Sequence, residues 1–340
     1  MSPTPTAQPY DATRTMRAMA IVEGALQPIQ LPRPVAKPGE IIIKTAYIGV
    51  NRADLLQIAG QYAPPEGASP LPGLEIAGIV AQNDADNLLF TPGMPVCALL
   101  SGGGYAEYVA VPAAHVLPLP AGITLQQAAS LPEAAATAYM ALALEANLQP
   151  GERVLVHGGA SGLGILMTQI ARAWGAEVFA TVGTAEKAAQ LARLGIHAIN
   201  HRTAPFAAQL MAATGDAGVD VIIDTLGGPQ VETHLRLLRH GGRLVTLAAL
   251  EGTAVAPFKM TRLLMNHLRW SGATLRSRTG LEKAAIMAGV QARIWPHLAT
   301  GAILPVVDSV FPLAQAQKAL ERMQERLHMG KILLEVAPET

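Results

Sequence analysis

The feature that most constrains this chain is a regular alternation of short apolar runs and helical segments between residues 153 and 248. The apolar runs are short and nearly free of charge, which suits strands of a parallel sheet covered on both faces. The predicted strands are Arg153–His157, Glu177–Val182, His197–Asn200, Val219–Asp224 and Arg243–Ala248. Four helices are predicted between these strands. The first contains Ile165, Leu166, Ile170 and Trp174 and ends at Gly175, and the second is capped by Thr184, contains Leu191 and Leu194 and ends at Gly195. The third and fourth span Ala204–Ala213 and Pro229–Arg239. This alternation predicts βαβ units and a right-handed, doubly wound α/β sheet.

The first third of the chain has a different texture, because 16 of the 25 prolines lie within residues 1–120. Proline cannot donate to a sheet and breaks helix interiors, so this part is expected to be β-rich with irregular loops. Its predicted strands are Arg17–Val22, Glu40–Val50, Gly78–Ala81 and Ala106–Val111. With 340 residues, the chain is long enough for about two domains.

The end of the chain is predicted to hold one more helix and one more strand. Pro312 is expected at the first helical position. One face of that helix carries Leu313, Leu320, Met323 and Leu327. Gly330 is expected to end it before a strand over Lys331–Val336.

Composition excludes several classes of protein. The 25 basic and 25 acidic residues balance, whereas a protein that neutralises nucleic-acid phosphates would carry a cationic excess. Cys97 is the only cysteine, so no internal disulfide or multi-cysteine zinc cluster can form; it is expected to be a small buried hydrophobe. The uncharged windows Asn87–Ala106 and Val154–Ala171 are interrupted by prolines, glycines or polar residues, and the N-terminus lacks the apolar core of a signal peptide. A cytoplasmic protein without a membrane span is expected.

A glycine turn follows the first strand of the alternating region, in the segment from Val154 to Gly164. Strand, glycine turn and helix start are the context in which a dinucleotide pyrophosphate binds helix N–H groups. The pattern is imperfect, because Ser161 stands where the second glycine is usual, and such a turn can also be purely structural. The cofactor-binding residues predicted here are Gly159, Ser161, Gly162 and Leu163.

The end of the next strand, Val182-Gly183-Thr184, indicates which cofactor binds. An acid in this region would bond the ribose 2′-hydroxyl of NAD, but none is present, and Gly183 leaves room for a 2′-phosphate. Lys187 follows in the first helical turn and is interpreted as a phosphate contact, against the alternative of a solvated surface lysine. The predicted cofactor is therefore NADPH.

Together with the glycine turn, several further segments, spread in order over residues 17–336, carry a family resemblance. They are Gly49-Val-Asn-Arg-Ala-Asp-Leu-Leu-Gln57, Gly60-Gln-Tyr-Ala-Pro-Pro-Glu-Gly-Ala-Ser69, Pro72-Gly-Leu-Glu-Ile-Ala-Gly78, Leu131-Pro-Glu-Ala-Ala-Ala-Thr-Ala-Tyr139 and Gly330-Lys-Ile. With them the chain resembles the zinc-independent medium-chain dehydrogenases/reductases, specifically NADPH quinone oxidoreductases of the p53-inducible type.

The resemblance implies a GroES-like β domain, a Rossmann domain and C-terminal strands that return to the first domain. The expected boundaries are a flexible tail over residues 1–15, a GroES-like catalytic domain over 16–132 and 302–340, and an NADPH-binding Rossmann domain over 133–301. In such proteins the active site lies in the interdomain cleft, and a homodimer or homotetramer is expected.

The resemblance also implies chemistry without zinc. Zinc-dependent relatives place a cysteine ligand and a His-Glu pair where this chain has Asn51 and Leu74-Glu75, and neither asparagine nor leucine replaces those ligands. An electron-poor quinone can accept hydride with only hydrogen bonding to the developing oxyanion. The expected activity is hydride transfer from NADPH to a quinone. The alternatives are an enoyl or alkenal reductase, which acts on a conjugated double bond, and a non-enzymatic crystallin-like or RNA-binding relative.

Two residues of the resembling segments are expected to act in catalysis. Asn51 corresponds to a polar group beside the nicotinamide, although it is also a plausible turn asparagine. Tyr62 is implied to orient the acceptor, although it can equally be a half-buried aromatic with a bonded hydroxyl. Arg52 and Asp54 of the same segment either pair with each other or cap a helix.

Five further residues are expected near the cofactor, namely Thr137, His201, Leu247, Arg276 and Lys331. Thr137 faces the cofactor in the family, although a helical threonine often bonds its own backbone. His201 stands where relatives often carry a tyrosine. Arg276, like Arg278, either reaches the cofactor phosphate or is a surface cation.

Overall fold

The computed structural model describes residues 10–83 and 89–336, and the fold divides into two compact units. The first unit comprises Met1–Glu133, Thr279–Ala299 and Val307–Thr340, and the second comprises Ala134–Arg278 and Thr300–Val306. Residues 1–9, 84–88 and 337–340 lie outside the described residues, including most of the predicted tail and the start of the Asn87–Ala106 window. No helix in the described part of the chain is both long and apolar enough to cross a bilayer.

The first unit is built mainly from β-strands, as its proline content predicts. Its strands are β1 (Thr15–Val22), β2 (Ala25–Pro32), β3 (Glu40–Gly49), β4 (Glu75–Asn83), β5 (Pro95–Leu99), β6 (Tyr108–Pro112), β7 (Val116–Pro118), β14 (Val307–Pro312) and β15 (Lys331–Glu335). Its helices are α1 (Arg52–Ile58), α2 (Leu125–Ala128), α9 (Gly280–Arg293), α10 (Trp295–Ala299) and α11 (Ala316–Gln324), and α3 (Pro132–Tyr139) begins in it.

Strands β1 and β2 form a hairpin, and the others form a seven-stranded sheet in the order β14-β15-β3-β4-β5-β7, with β6 paired to β3. The C-terminal strand β15 runs antiparallel to β3, with Leu333 opposite Gly49. This pairing confirms that the chain returns to its first domain. It also places the start of β15 beside the loop that follows β3.

The second unit is a Rossmann fold. Its strands are β8 (Arg153–Val156), β9 (Glu177–Val182), β10 (His197–Asn200), β11 (Val219–Asp224), β12 (Leu238–Thr246) and β13 (Arg269–Gly272). Its helices are α4 (Gly162–Ala173), α5 (Ala185–Arg193), α6 (Phe206–Ala213), α7 (Val231–Leu237) and α8 (Thr261–Met265), with a π-helical segment over Met140–Glu145 after α3. The sheet is parallel in the order β10-β9-β8-β11-β12-β13, which is the doubly wound order of dinucleotide-binding domains.

Strands β2, β5, β7, β13 and β14 have no counterpart among the predicted strands, and other departures lie at element ends. The helix predicted to run to Arg239 ends at Leu237, because β12 starts at Leu238 and pairs with Val219 across a bulge. The C-terminal helix ends before Leu327, which is 63% exposed, because Arg326 adopts a left-handed φ of 58°. Pro312 ends β14 and precedes a 3₁₀ turn, and α11 starts later than predicted, at Ala316.

The domain boundaries also differ from those expected. Thr279–Ala299 belongs to the first unit, where the His115 ring bonds the carbonyl of Gly280 and the Trp295 indole donates to the carbonyl of Pro118. The tail predicted to reach residue 15 is too long, because Tyr10 packs edge-on against Tyr108 and β1 starts at Thr15.

Candidate active site

The glycine turn after β8 is tightly packed. Gly158 has a φ of +68°, which favours glycine. A side chain at Gly159 would lie 2.5 Å from the Cβ of Ala180 in β9, and one at Gly164 would overlap the carbonyl of Gly158. These glycines are needed because the turn packs closely on its own strand and on the next.

Ser161, which interrupts the glycine pattern, is the N-cap of α4. Its hydroxyl oxygen accepts a hydrogen bond of 3.0 Å from the N–H of Gly164. Gly162 and Leu163 form the start of the helix, where N–H groups have no partner within the helix itself. Gly159, Ser161, Gly162 and Leu163 are therefore brought together, and the turn fits a bound pyrophosphate.

Gly183, just after β9, faces two side chains of the turn that follows the neighbouring strand β10. A Cβ at this glycine would lie 3.5 Å from Nε of Arg202 and 3.7 Å from Nε2 of His201. The two segments meet because β10 runs parallel to β9, with Asn200 opposite Val182. Partial burial and the charge of Arg202 lower the pKa of His201. Sequence reasoning predicted Gly183 and His201 but missed Arg202, which the meeting of parallel strand ends could have indicated.

Lys187 lies in the first turn of α5. Its N–H donates to the hydroxyl of Thr184 over 3.3 Å, which confirms the predicted cap, and the residue is half-buried.

The remaining predicted cofactor residues of the second unit belong to three different segments of the chain. Thr137 is half-buried in α3. Leu247 follows β12 and donates its N–H to the carbonyl of Asp224 over 2.8 Å. Arg276 is only 4% exposed, so the surface-cation interpretation is wrong for it, whereas Arg278 forms an ion pair of 3.0 Å with Glu145.

The first unit holds a buried ion pair between Lys331 and Glu75, whose side chains are 5% and 0% exposed. The ammonium of Lys331 also donates to Oδ1 of Asn51 over 2.7 Å, and Nδ2 of Asn51 donates to Oε1 of Glu75 over 2.9 Å. We call these three residues the Glu75 network. Gly49 makes room for it, because a Cβ there would overlap the Glu75 carboxylate.

The Glu75 network uses most of the hydrogen-bonding capacity of Asn51. Its second Nδ2 hydrogen is directed to the carbonyl of Gly49 at 3.3 Å, so both amide hydrogens have acceptors. The Asn51 amide can have only one orientation, because its oxygen must face the Lys331 ammonium and its nitrogen must face the Glu75 carboxylate. In the capping box of α1 the Asn51 side chain also faces the backbone N–H of Asp54.

Asp54 supports the same loop from inside helix α1. It is fully buried and accepts from the N–H of Asn51 at 2.8 Å, the N–H of Gly73 at 3.1 Å and the hydroxyl of Tyr105 at 3.1 Å. Burial raises the pKa of this carboxyl to about 6. Arg52 is exposed, so of the two interpretations of Asp54 the structure supports the helix cap.

Glu133 adds another carboxyl near the network. Its backbone N–H donates to Oε2 of Glu75 over 2.9 Å, so Glu75 also anchors the start of α3. Burial first, and then the charge of Glu75, raise the pKa of Glu133 to about 8. Sequence reasoning missed Glu133 and the linking role of Glu75. A charged residue that begins the apolar strand EIAGIV was the available signal.

Tyr62 lies half-buried in the loop between α1 and β4. Its role as the group that orients the acceptor stays a prediction.

The residues at the expected zinc positions do not fit a zinc ion. Asn51 is held by Lys331 and Glu75, and Leu74 is an aliphatic side chain that is 1% exposed. Within residues 10–83 and 89–336, no three His, Cys, Asp or Glu side chains are grouped to hold a metal. Cys97 is completely buried, as expected.

A GroES-like β unit, a Rossmann unit and a glycine turn suited to a pyrophosphate together define a nucleotide-dependent oxidoreductase. The family model for the alcohol dehydrogenase GroES-like domain matches residues 37–121, and the model for zinc-binding dehydrogenases matches residues 162–288. The chain belongs to the medium-chain dehydrogenase/reductase family.

Similar proteins include quinone oxidoreductases, an enoyl reductase and a polyketide synthase. The quinone oxidoreductase of Sus scrofa is 32% identical over 88% of this chain and 90% of its own length. A highly reducing polyketide synthase of Emericella nidulans is 31% identical over 98% of this chain, which spans only 13% of that protein. The quinone oxidoreductase of Thermus thermophilus, solved also in complex with NADPH, has 33% identity and a TM-score of 0.79, covering 95% and 100% of the two chains. The CurK enoyl reductase has 26% identity and a TM-score of 0.83, covering 95% and 99%.

Proposed function

We propose that this protein is an NADPH-dependent, zinc-independent quinone oxidoreductase. The observation that carries the proposal is the surroundings of Gly183, where Arg202 and His201 lie within 3.7 Å of the open Cβ position. No acid stands at the end of β9 to bind a ribose hydroxyl. A guanidinium and a histidine at this place favour a phosphate group.

The proposed cofactor site lies at the carboxyl ends of strands β8 and β9. The start of α4, with Gly159, Ser161, Gly162 and Leu163, would hold the pyrophosphate. Gly183, Lys187, His201 and Arg202 would hold the 2′-phosphate. When bound, NADPH supplies the hydride, and the assignments of Thr137, Leu247 and Arg276 to its site remain proposals.

The residues of the first unit are assigned to the acceptor and its orientation. A quinone is reduced to a hydroquinone by one hydride and one proton, and no Lewis acid is needed for so electron-poor a carbonyl. Tyr62 would donate a hydrogen bond to the oxygen on which charge develops. Asn51, held in one orientation by Lys331 and Glu75, would position the nicotinamide, and Lys331 would act through Asn51, because its ammonium is already bonded to Asn51 and Glu75.

A second candidate is an enoyl reductase, which adds hydride to a conjugated double bond. The structural likeness to the CurK enoyl reductase supports it. Both reactions place a hydride on a conjugated acceptor, so the same residues would serve either one.

A homo-oligomer is proposed on the outer strand β13 of the Rossmann sheet. Leu264 and Met265 in the preceding helix are 65% and 72% exposed, and Trp270 in the strand is 41% exposed. Exposed apolar side chains beside an open sheet edge favour contact with a second copy of the chain.

The test of the proposed function compares NADPH and NADH binding by fluorescence titration. Lys187→Ala and Arg202→Ala should each weaken NADPH binding about tenfold to a hundredfold, because each removes a charge-assisted contact. NADH binding should be nearly unchanged. Arg193→Ala, at the far end of α5 and exposed, is the control. Equal losses for both cofactors would contradict the 2′-phosphate site.

Steady-state assays then separate the candidates. The wild type should oxidise NADPH with 9,10-phenanthrenequinone or 1,4-benzoquinone and keep this activity after chelation. Preference for an enone over every quinone would favour the enoyl reductase. Activity lost with chelator and restored by Zn²⁺ would contradict zinc-free chemistry.

A further inference from the structure

Thr181, near the carboxyl end of β9, binds two successive amides of the glycine turn. Its hydroxyl oxygen accepts from the N–H of Gly158 at 3.1 Å, and its carbonyl accepts from the N–H of Gly159 at 2.9 Å. Thr181 is 3% exposed, so its own hydroxyl and carbonyl are shielded from water. The parallel sheet does not use the hydroxyl, because its strands pair through backbone groups.

His157, the residue before the turn, completes this arrangement. Its Nδ1 lies 3.1 Å from the hydroxyl oxygen of Thr181, and the residue is 2% exposed. If Nδ1 carried the proton, the hydroxyl hydrogen of Thr181 and the lone pair of Nε2 would both lack partners. If Nε2 carries it, the hydroxyl donates to Nδ1 and only the Nε2–H is unpaired. The tautomer with the proton on Nε2 leaves fewer buried polar groups unpaired, so we expect a neutral His157 whose Nδ1 accepts from the Thr181 hydroxyl.

The surroundings of His157 keep it uncharged. Its ring lies 4.8 Å from that of His234 and 5.0 Å from that of Phe206, measured between centroids. Burial, and then the positive charge that His234 and His201 can carry, hold the pKa of His157 well below its usual range. Among the described residues, neither Nε2 of His157 nor either nitrogen of His234 has a hydrogen-bond partner. The hydrogen bond described for the His157 ring is therefore the one to the Thr181 hydroxyl.

We propose that Thr181 and His157 are positioning residues that hold the turn from Gly158 to Gly164 in the conformation that receives the cofactor pyrophosphate. This inference rests on the proposed NADPH-dependent function. His157 orients the Thr181 hydroxyl, the hydroxyl fixes the amide of Gly158, and the carbonyl fixes that of Gly159. The helix start that follows is then preorganised for the anion before it binds.

The test replaces the hydroxyl and leaves the shape of the side chain. Thr181→Val should raise the Kd for NADPH about tenfold, because the turn loses one bond and the N–H of Gly158 loses its acceptor. The kcat at saturating NADPH should stay the same, since the reacting groups are untouched. Thr181→Ser should restore binding. Thr168→Val is the matched control, because Thr168 is buried in α4 of the same unit and its hydroxyl bonds only the carbonyl of Ile165.

The role of His157 has its own pair of variants. His157→Asn retains an acceptor near the position of Nδ1 and should bind NADPH more tightly than His157→Leu, which retains none. Equal Kd values for Thr181→Val and Thr168→Val would overturn the proposal, as would equal Kd values for the two His157 variants.

Amide hydrogen exchange distinguishes failure of this inference from failure of the proposed function. In Thr181→Val the amide of Gly158 should exchange faster than in the wild type, while the core amides of β9 should not change. A wild type that binds no NADPH would refute the proposed function and this role in cofactor binding with it. Accelerated exchange at Gly158 would then show only that Thr181 holds the turn.

Discussion

Replacing Lys331 by methionine tests the energetic importance of the Glu75 network. The substitution retains most of the apolar stem and removes the ammonium, so Glu75, which is fully buried, loses its counter-ion. Removing one partner of a buried pair costs about 3–5 kcal/mol, because an uncompensated charge stays in the interior. Asn51 also loses the donor to its Oδ1, which adds about 1 kcal/mol.

The expected loss is large enough to measure by thermal unfolding. For a unit of about 190 residues, each kcal/mol lowers Tm by about 2–4 °C, so a total loss of about 4–6 kcal/mol lowers it by roughly 8–24 °C. Lys318→Met is the matched control, since Lys318 is exposed in α11 of the same unit, and its Tm should change little.

A double-mutant cycle identifies the cause of the loss. Glu75→Gln alone should also destabilise the protein, because it leaves the ammonium buried and unpaired. Glu75→Gln combined with Lys331→Met should recover most of the stability, because neither position then leaves an unpaired charge in the interior. If Lys331→Met unfolds within 2 °C of the Lys318→Met control, or if the double variant is no more stable than the single ones, the reasoning is wrong.

Three further predictions concern acid stability, the acceptor and assembly. Burial lowers the pKa of His234 to about 4. The unfolded chain therefore binds more protons, and stability should fall by about 3 kcal/mol as the pH drops from about 6.5 to about 4. Urea titrations should show this slope reduced in His234→Phe but not in a His240→Phe control. Tyr62→Phe should lower kcat/KM for quinones about fivefold and leave NADPH affinity intact, because one hydrogen bond to a developing charge is lost and quinones are intrinsically reactive. The control is Tyr47→Phe. If Tyr62→Phe has wild-type rates on every acceptor, Tyr62 does not belong to the site. Leu264→Glu should lower the molar mass measured by light scattering, because the charge disrupts the proposed contact at β13. Leu281→Glu, at a residue that is 86% exposed in the other unit, should leave the mass unchanged. An unchanged mass for Leu264→Glu would contradict the β13 interface.

The centre of the Rossmann unit was predictable because strands β8, β9 and β11 are buried and read as apolar runs, whereas the exposed edge strand β13 was not predicted. Strands β9, β10 and β11 begin and end at the predicted residues. The predicted boundary failed at Leu238, where a bulge lets the strand begin before its apolar run. A bulge depends on pairing with another strand, so local sequence does not show it.

The candidate site was predictable only where a motif lies within one segment. The glycine turn and Gly183 were found because each follows a strand directly along the chain. Arg202 is near Gly183 because two strands run side by side. Lys331 meets Glu75 from the far end of the chain through the β15–β3 pairing. Such contacts depend on sheet order and register, which the spacing of residues along the chain does not encode.

The protonation states around Asn51 explain why three carboxyls can share one interior with Lys331. Glu75 keeps its charge balanced by the ammonium, and Asp54 spreads its charge over three donors. Glu133, with a pKa raised to about 8, is mostly protonated at neutral pH and so adds little charge beside Glu75. Lys331, Glu75 and Asp54 therefore leave about one net negative charge near the Asn51 amide at neutral pH, and the three hydrogen-bond donors to Asp54 stabilise it. The Asn51 amide is itself uncharged and is held in one orientation by Lys331 and Glu75, so it can orient a bound molecule without altering its charge, and this is the part that the proposed function assigns to Asn51.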